Sequence, residues 1–151
     1  MSLVIISVML VVALNSVGAS RLGQRWNADR LRGMALASDL MAEITSKAYS
    51  DPNELVLFGP EVSELLVGRT AYDDVDDYSG YRESPPVDAA GTAIPGLSAW
   101  RRDVTVSWVT AGDLTRTSLT DTGIKLITVT VRRNGQLVAQ LTAVRTAAGP
   151  H

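Results

Sequence analysis

The most constraining feature of this chain is its beginning, where an uncharged apolar run passes into an amphipathic pattern without an intervening proline. Residues 1–20 contain no Asp, Glu, Lys or Arg, and the first proline is Pro52. About 17 uncharged residues, from Leu3 to Ala19, reach the lower limit of length for a helix that crosses a bilayer. We therefore predict an apolar helix that contacts membrane lipid or other subunits. Its large aliphatic residues are Leu3, Val4, Ile5, Ile6, Val8, Met9, Leu10, Val11, Val12 and Leu14.

A cleaved signal peptide is the alternative interpretation of this run. The small residues Val17-Gly18-Ala19 end it in the manner of a cleavage site. However, no Lys or Arg precedes the run, whereas a signal peptide begins with a basic region. The helical pattern also continues past Ala19 instead of giving way to a loop, so the sequence favours a helix that is retained.

The stretch from Arg21 to Tyr49 is typical of an amphipathic helix. Its apolar residues recur at steps of three and four, which places most of them on one stripe of the helix. They are Leu22, Trp26, Met34, Ala37, Leu40, Met41, Ile44 and Ala48. A continuous helix from Leu3 to about Tyr49 would be about 70 Å long. A body of this size cannot cover such a helix, so we expect its first half to pack on lipid or on other copies.

The last third of the chain carries three candidate strands, over residues 103–109, 124–133 and 136–145. Asn134-Gly135 separates the last two and favours a two-residue hairpin turn. A regular two-residue hairpin would place Val131 opposite Val138 and Thr128 opposite Leu141. In that register neither face of the hairpin is cleanly apolar.

These patterns predict an α+β fold, in which a long N-terminal α-helix packs on a small C-terminal antiparallel β-sheet. The helix would be apolar in its first half and amphipathic in its second. We expect four segments: the apolar transmembrane or assembly half at residues 1–20, the amphipathic half at 21–50, an irregular connector at 51–102 and the sheet at 103–151.

Composition excludes several kinds of chemistry. The chain has no Cys, and its only His is His151, so thiol catalysis, disulfides and histidine relays are not expected. A net charge of −2 and a pI near 5.3 give no basic footprint for nucleic acid. The segment Gly96-Leu-Ser-Ala-Trp100 lacks the second Gly of a nucleophile elbow. We therefore predict that the protein is not an enzyme and has no resident cofactor.

One acidic cluster is the candidate metal site. Asp73, Asp74, Asp76 and Asp77 place four carboxylates within five residues, and a Ca²⁺ ion would relieve their mutual repulsion with oxygen ligands. The spacing is not that of an EF-hand loop, and the simpler interpretation is a solvated acidic loop.

The succession of apolar helix, amphipathic extension, connector and terminal sheet resembles the type IV pilin and type II secretion pseudopilin superfamily, in particular a minor pilin or an I-type minor pseudopilin. The resemblance is carried by Ser2-Leu3-Val4 with the aliphatic run after it, by residues 15–21 and by residues 35–43. It implies assembly with other pilins or pseudopilins on an inner-membrane platform, and cleavage by a prepilin peptidase if a leader exists.

The chain departs from the family at its start. Family precursors carry a short basic leader that ends in Gly, then a Phe and, four residues later, a Glu that is thought to neutralise the N-terminal amine of a neighbouring subunit. Here no leader is present, Met1 stands in the place of the Phe and Ile5 in the place of the Glu. Three interpretations stay open: a tip or initiating subunit, a sequence that lacks its first segment, or a degenerate paralogue.

Three functions follow as hypotheses, and an unrecognised hydrolase is the least favoured of them. The first is a structural subunit of a type II secretion pseudopilus or type IV pilus, anchored by one span in the bacterial inner membrane with its body in the periplasm or in an extracytoplasmic filament. The alternative is a single-pass or secreted β-rich binding module that uses the acidic loop of residues 73–81.

Overall fold

The structure, a computed structural model, describes residues 2–51 and 58–147, and it describes residues 2–22 and Ser63 by their backbone alone. The chain forms two compact units, Met1–Arg32 and Gly33–His151. A single helix, α1 (Ser2–Thr45), begins in the first unit and ends in the second.

In the first unit, the described side chains of α1 are exposed on every face. Trp26 is 67 % exposed and Leu31 is 73 % exposed, and between residues 23 and 32 only Asp29 is half-buried. The predicted membrane residues Leu3 to Leu14 lie outside the described side chains. Among the helical residues that the structure describes, none form a stretch apolar and long enough to cross a membrane.

In the second unit, α1 buries one face. Leu36, Ala37, Leu40, Met41 and Ile44 are all at most 8 % exposed, and their spacing of three and four places them on one stripe. The helix ends at Thr45, earlier than predicted, and the Thr45 hydroxyl donates to the Met41 carbonyl at 2.8 Å.

An antiparallel sheet makes up most of the second unit. Its strands are β1 (Arg82–Glu83), β2 (Trp100–Thr110), β3 (Asp113–Thr117), β4 (Ile124–Arg133) and β5 (Gln136–Thr146). The spatial order is β1-β2-β4-β5, and β3 pairs with the far end of β2. The connector before β2 contains a short helix, α2 (Val62–Val67), and two 3₁₀ turns, Arg69–Ala71 and Asp76–Tyr78.

The predicted hairpin turn is confirmed, whereas the predicted register is wrong. Asn134 and Gly135 have φ angles of 49° and 79°, as a two-residue turn of this type requires. Val131 pairs with Ala139 instead of Val138, because the register shifts by one residue between Val131 and Arg132. A one-residue shift exchanges the two faces of a strand. It brings Ala139, Leu141 and Ala143 opposite the buried Val131, Val129 and Ile127, and so gives the hairpin an apolar face.

Gly33 lies where α1 approaches this irregularity. A Cβ atom at Gly33 would lie 2.8 Å from Val138 Cγ1 and 3.2 Å from the Ala139 Cβ atom. The absence of a side chain at Gly33 therefore allows the helix and the shifted part of β5 to pack closely.

The predicted fold class is wrong. The described fold is mostly an antiparallel sheet, and the helical residues whose side chains are described run only from Gly23 to Thr45, so no long helix packed on a small sheet is found among them. The remaining core comes from the connector, through Tyr72, Val75, Tyr78 and Leu97. Helical periodicity indicates which face of a helix is apolar, but it does not indicate how much of that face finds a partner.

Candidate functional site

The acidic segment from Asp73 to Asp77 is folded inward, so the solvated-loop interpretation is wrong for most of it. Asp74, Asp76 and Asp77 are buried, and Asp73 is exposed. Asp74 Oδ1 accepts the backbone N–H of Asp76 at 2.7 Å and that of Asp77 at 3.3 Å. Asp77 Oδ2 accepts the N–H groups of Asp73 and Asp74 at 3.0 Å each. Asp74 therefore binds the first backbone N–H groups of the 3₁₀ turn, and Asp77 binds the backbone that precedes the turn, a frequent use of Asp beside short helices.

Asp76 forms a buried ion pair with Lys125 of β4. The Lys125 ammonium also donates to the Tyr49 carbonyl, and it lies 4.3 Å from the centre of the Tyr49 ring. Asp76 Oδ2 accepts the Gly59 N–H at 3.3 Å. The pair joins the acidic segment to the sheet, and sequence reasoning missed it because Lys125 lies far along the chain, in a strand rich in β-branched residues.

Among the residues that the structure describes, two groups of carboxylates have the geometry to hold a cation. In the group Asp73, Asp74 and Asp77, one oxygen from each residue lies within 4.8 Å of the others, and the same holds for Glu61, Glu64 and Asp77. Asp76, a member of the predicted metal set, belongs to neither group. Sequence analysis missed Glu61 and Glu64, although their spacing of three is that of a helix-capping pair: Glu64 Oε2 accepts the Glu61 N–H at 3.1 Å.

The crowding of these carboxyls changes their acidity. Burial, followed by hydrogen bonding to Glu61, raises the pKa of Glu64 to about 8. Burial and the neighbouring Asp76 raise the pKa of Asp74 to about 7, and burial also raises the pKa of Asp77. Near neutral pH these carboxyls can therefore hold a proton. A hard cation such as Ca²⁺ would compete with that proton for the same oxygens.

A second buried network connects the connector to α1 and β2. Arg69 donates from Nε and Nη2 to the two carboxylate oxygens of Glu43, at 2.8 and 2.9 Å, and from Nη1 to Glu83 at 2.9 Å. Arg102 pairs with the other oxygen of Glu83, and its Nη1 donates to the Leu36 carbonyl at 3.1 Å. Positive and negative side chains alternate in this network and each one is paired, so the network joins α1, the connector and β2.

Three tyrosines extend this ion-pair network. The Tyr78 hydroxyl donates to Glu43 at 2.8 Å, and the Tyr81 hydroxyl donates to Glu83 at 2.7 Å. Their rings pack edge to face with each other and with Tyr72, with centroids 5.1–6.1 Å apart. The tyrosines thus join the connector to Glu43 of α1 and to Glu83 of β1.

Comparisons with protein-family models, with curated proteins and with solved structures found no match to this chain.

Proposed function

We propose that this chain is a non-enzymatic structural subunit that assembles through its N-terminal helix into a filament of the type II secretion pseudopilus or type IV pilus kind. The observation that carries the proposal is the exposure of Trp26 and Leu31 on a helical stretch, residues 23–32, in which no side chain is buried. Most of the stability of a helix in a protein comes from the packing of its apolar side chains, and Trp26 and Leu31 are exposed here. Neighbouring subunits would supply that packing.

The proposed mechanism uses the two parts of the N-terminal sequence in turn. The apolar residues from Leu3 to Leu14 hold the subunit in the inner membrane, in contact with lipid. When the assembly platform extracts the subunit, the same residues pack against those of other pilins or pseudopilins, and Trp26 and Leu31 extend this contact. The sheet-containing unit then lies on the periplasmic or extracytoplasmic side.

The alternative function, ligand binding through residues 73–81, is less well supported. Asp74, Asp76, Asp77 and Tyr78 are at most 5 % exposed and already engage protein groups. A ligand at this segment would have to displace those bonds.

Cross-linking in membranes tests the proposal. Because the chain contains no cysteine, an Ala28→Cys substitution introduces a single reporter on the exposed part of α1. In cells that express the full chain with its genomic neighbours, we expect disulfide or maleimide cross-links to copies of the chain or to pilin-like proteins. The double variant Trp26→Glu/Leu31→Glu should lose them, since it places two charges in the apolar contact.

A matched control adds the same charge without removing apolar surface. Gln24→Glu/Asn27→Glu changes two exposed polar positions of the same stretch and should keep the cross-links. A chain that stays monomeric in membranes, or equal cross-linking in both double variants, would contradict assembly through this helix.

A further inference from the structure

The pairing of three strands gathers arginines on the outward face of the sheet. Arg101 of β2 lies directly opposite Arg132 of β4, and Arg82 of β1 lies directly opposite Asp103 of β2. Arg101 and Asp103 are two residues apart in one strand and therefore share a face. We refer to Arg82, Arg101 and Arg132 with the central Asp103 as the arginine cluster.

The cluster carries more positive charge than its own carboxylate can neutralise. Arg82 Nε lies 2.6 Å from Asp103 Oδ1, whereas Arg101 Nε and Arg132 Nε lie 2.9 and 4.0 Å from Asp103 Oδ2. Three guanidinium groups thus share one carboxylate, which leaves two positive charges in excess. The arginine side chains are 68, 39 and 37 % exposed, so solvent reaches all three, and Arg132 Nη1 also donates to the Gly135 carbonyl at 3.4 Å.

The register makes this excess unfavourable for the isolated protein. Directly opposite side chains on neighbouring strands have Cβ atoms about 4.5–5.5 Å apart, and like charges at that distance destabilise the pair. Arg101 and Arg132 are such a pair. From Asp51 onward the chain has more acidic than basic residues, so the cluster is a positive patch on an acidic body.

We propose that the arginine cluster is a docking site for an acidic segment of a partner protein. Guanidinium groups bind carboxylates through paired, charge-assisted hydrogen bonds, and Arg101 beside Arg132 presents two such groups to successive carboxylates. The cluster spans three strands of an open face, which suits an extended segment more than a single enclosed ion. The inference does not depend on assembly through α1, because these residues belong to the sheet.

Binding of a labelled hexaglutamate peptide to the full chain in detergent micelles tests the proposal. At low ionic strength we expect saturable binding that weakens as salt is added, and no binding of a hexaglutamine peptide. Arg101→Gln/Arg132→Gln should bind about tenfold more weakly, since two charge-assisted contacts are lost. Asp103→Asn should bind severalfold more tightly, because it removes the competing carboxylate.

The control is Arg116→Gln, an exposed arginine on β3, which should bind as the unaltered chain does. The proposal is overturned if hexaglutamate does not bind, or if the Arg101/Arg132 variant binds like the Arg116 variant. It is also overturned if inorganic phosphate saturates the cluster while hexaglutamate cannot displace it, which would indicate an anion site instead. If Asp103→Asn fails to fold, the two arginine variants still decide the outcome.

Discussion

The acidic segment and the arginine cluster differ in how far apart their residues lie in the sequence and in whether their charged groups are buried. Asp73 to Asp77 form the most conspicuous charged cluster of the sequence, yet three of the four carboxylates are buried and bonded to backbone or to Lys125. Arg82, Arg101 and Arg132 are dispersed over 51 positions of the sequence, and strand pairing brings them together on an open face. The charges that are adjacent in sequence are mostly bonded within the protein, whereas the charges that strand pairing brings together are left partly uncompensated.

The largest effect is expected at the buried ion pair. Lys125→Met would leave the Asp76 carboxylate buried without its cation, and we expect a loss of about 3–5 kcal/mol in the free energy of unfolding, measured by urea denaturation. Lys125→Met/Asp76→Asn should recover part of this loss. A Lys125→Met protein as stable as the unaltered chain would show that the acidic segment is not joined to the sheet through this pair.

The next effect concerns the close approach of α1 and β5. Gly33→Ala places a methyl group 2.8 Å from Val138 Cγ1, and such overpacking costs about 1–3 kcal/mol. Adding Val138→Ala should restore stability by making room. Gly23→Ala is the control: no atom lies within 4 Å of its added methyl group, and thermal unfolding should show no loss.

The carboxyls around Asp77 predict a pH dependence of stability. The pKa values of Glu64 and Asp74 are raised by burial to about 8 and about 7, so the folded state holds protons that the unfolded state has released above about pH 4–5. Stability should therefore decrease as the pH rises from about 5 to 8. Glu64→Gln should flatten this decrease, whereas Asp39→Asn, at an exposed position of α1, should not.

Melting curves across this pH range provide the measurement. Stability that increases with pH would contradict the assignment of protons to these carboxyls. A rise in melting temperature on adding Ca²⁺ at pH 8, absent in Glu64→Gln, would show that the group Glu61, Glu64 and Asp77 binds the cation.

The smallest effect is expected in the arginine cluster. Arg82 is 68 % exposed, and exposed ion pairs contribute about 0–1 kcal/mol to stability. Arg82→Gln should therefore unfold at nearly the same urea concentration as the unaltered chain, in contrast to Lys125→Met. A loss comparable to that of Lys125→Met would mean that the arginine cluster stabilises the fold as much as the buried Asp76–Lys125 pair does.

Local patterns were sufficient for part of the fold. The β-branched run from Ile124 to Arg133 and the Asn134-Gly135 turn predicted β4 and the beginning of β5 correctly. The strands β1 and β3 were missed, because two- and five-residue strands leave too short a pattern to recognise. The candidate metal site stays a prediction: Asp73, Asp74 and Asp77 do meet, whereas Asp76 faces Lys125, and the burial of these residues did not follow from their spacing.

By itself, the sequence determined the uncharged apolar beginning, the helical periodicity after it and the hairpin, because each depends on neighbouring residues and on the period of the backbone. Only the tertiary structure decided that α1 packs closely on β5 at Gly33, that β5 shifts by one residue at Val138, and that Asp74, Asp76 and Asp77 are buried while the arginine cluster is exposed. These outcomes depend on pairings between residues far apart in the chain, and burial and register are properties of those pairings rather than of either segment.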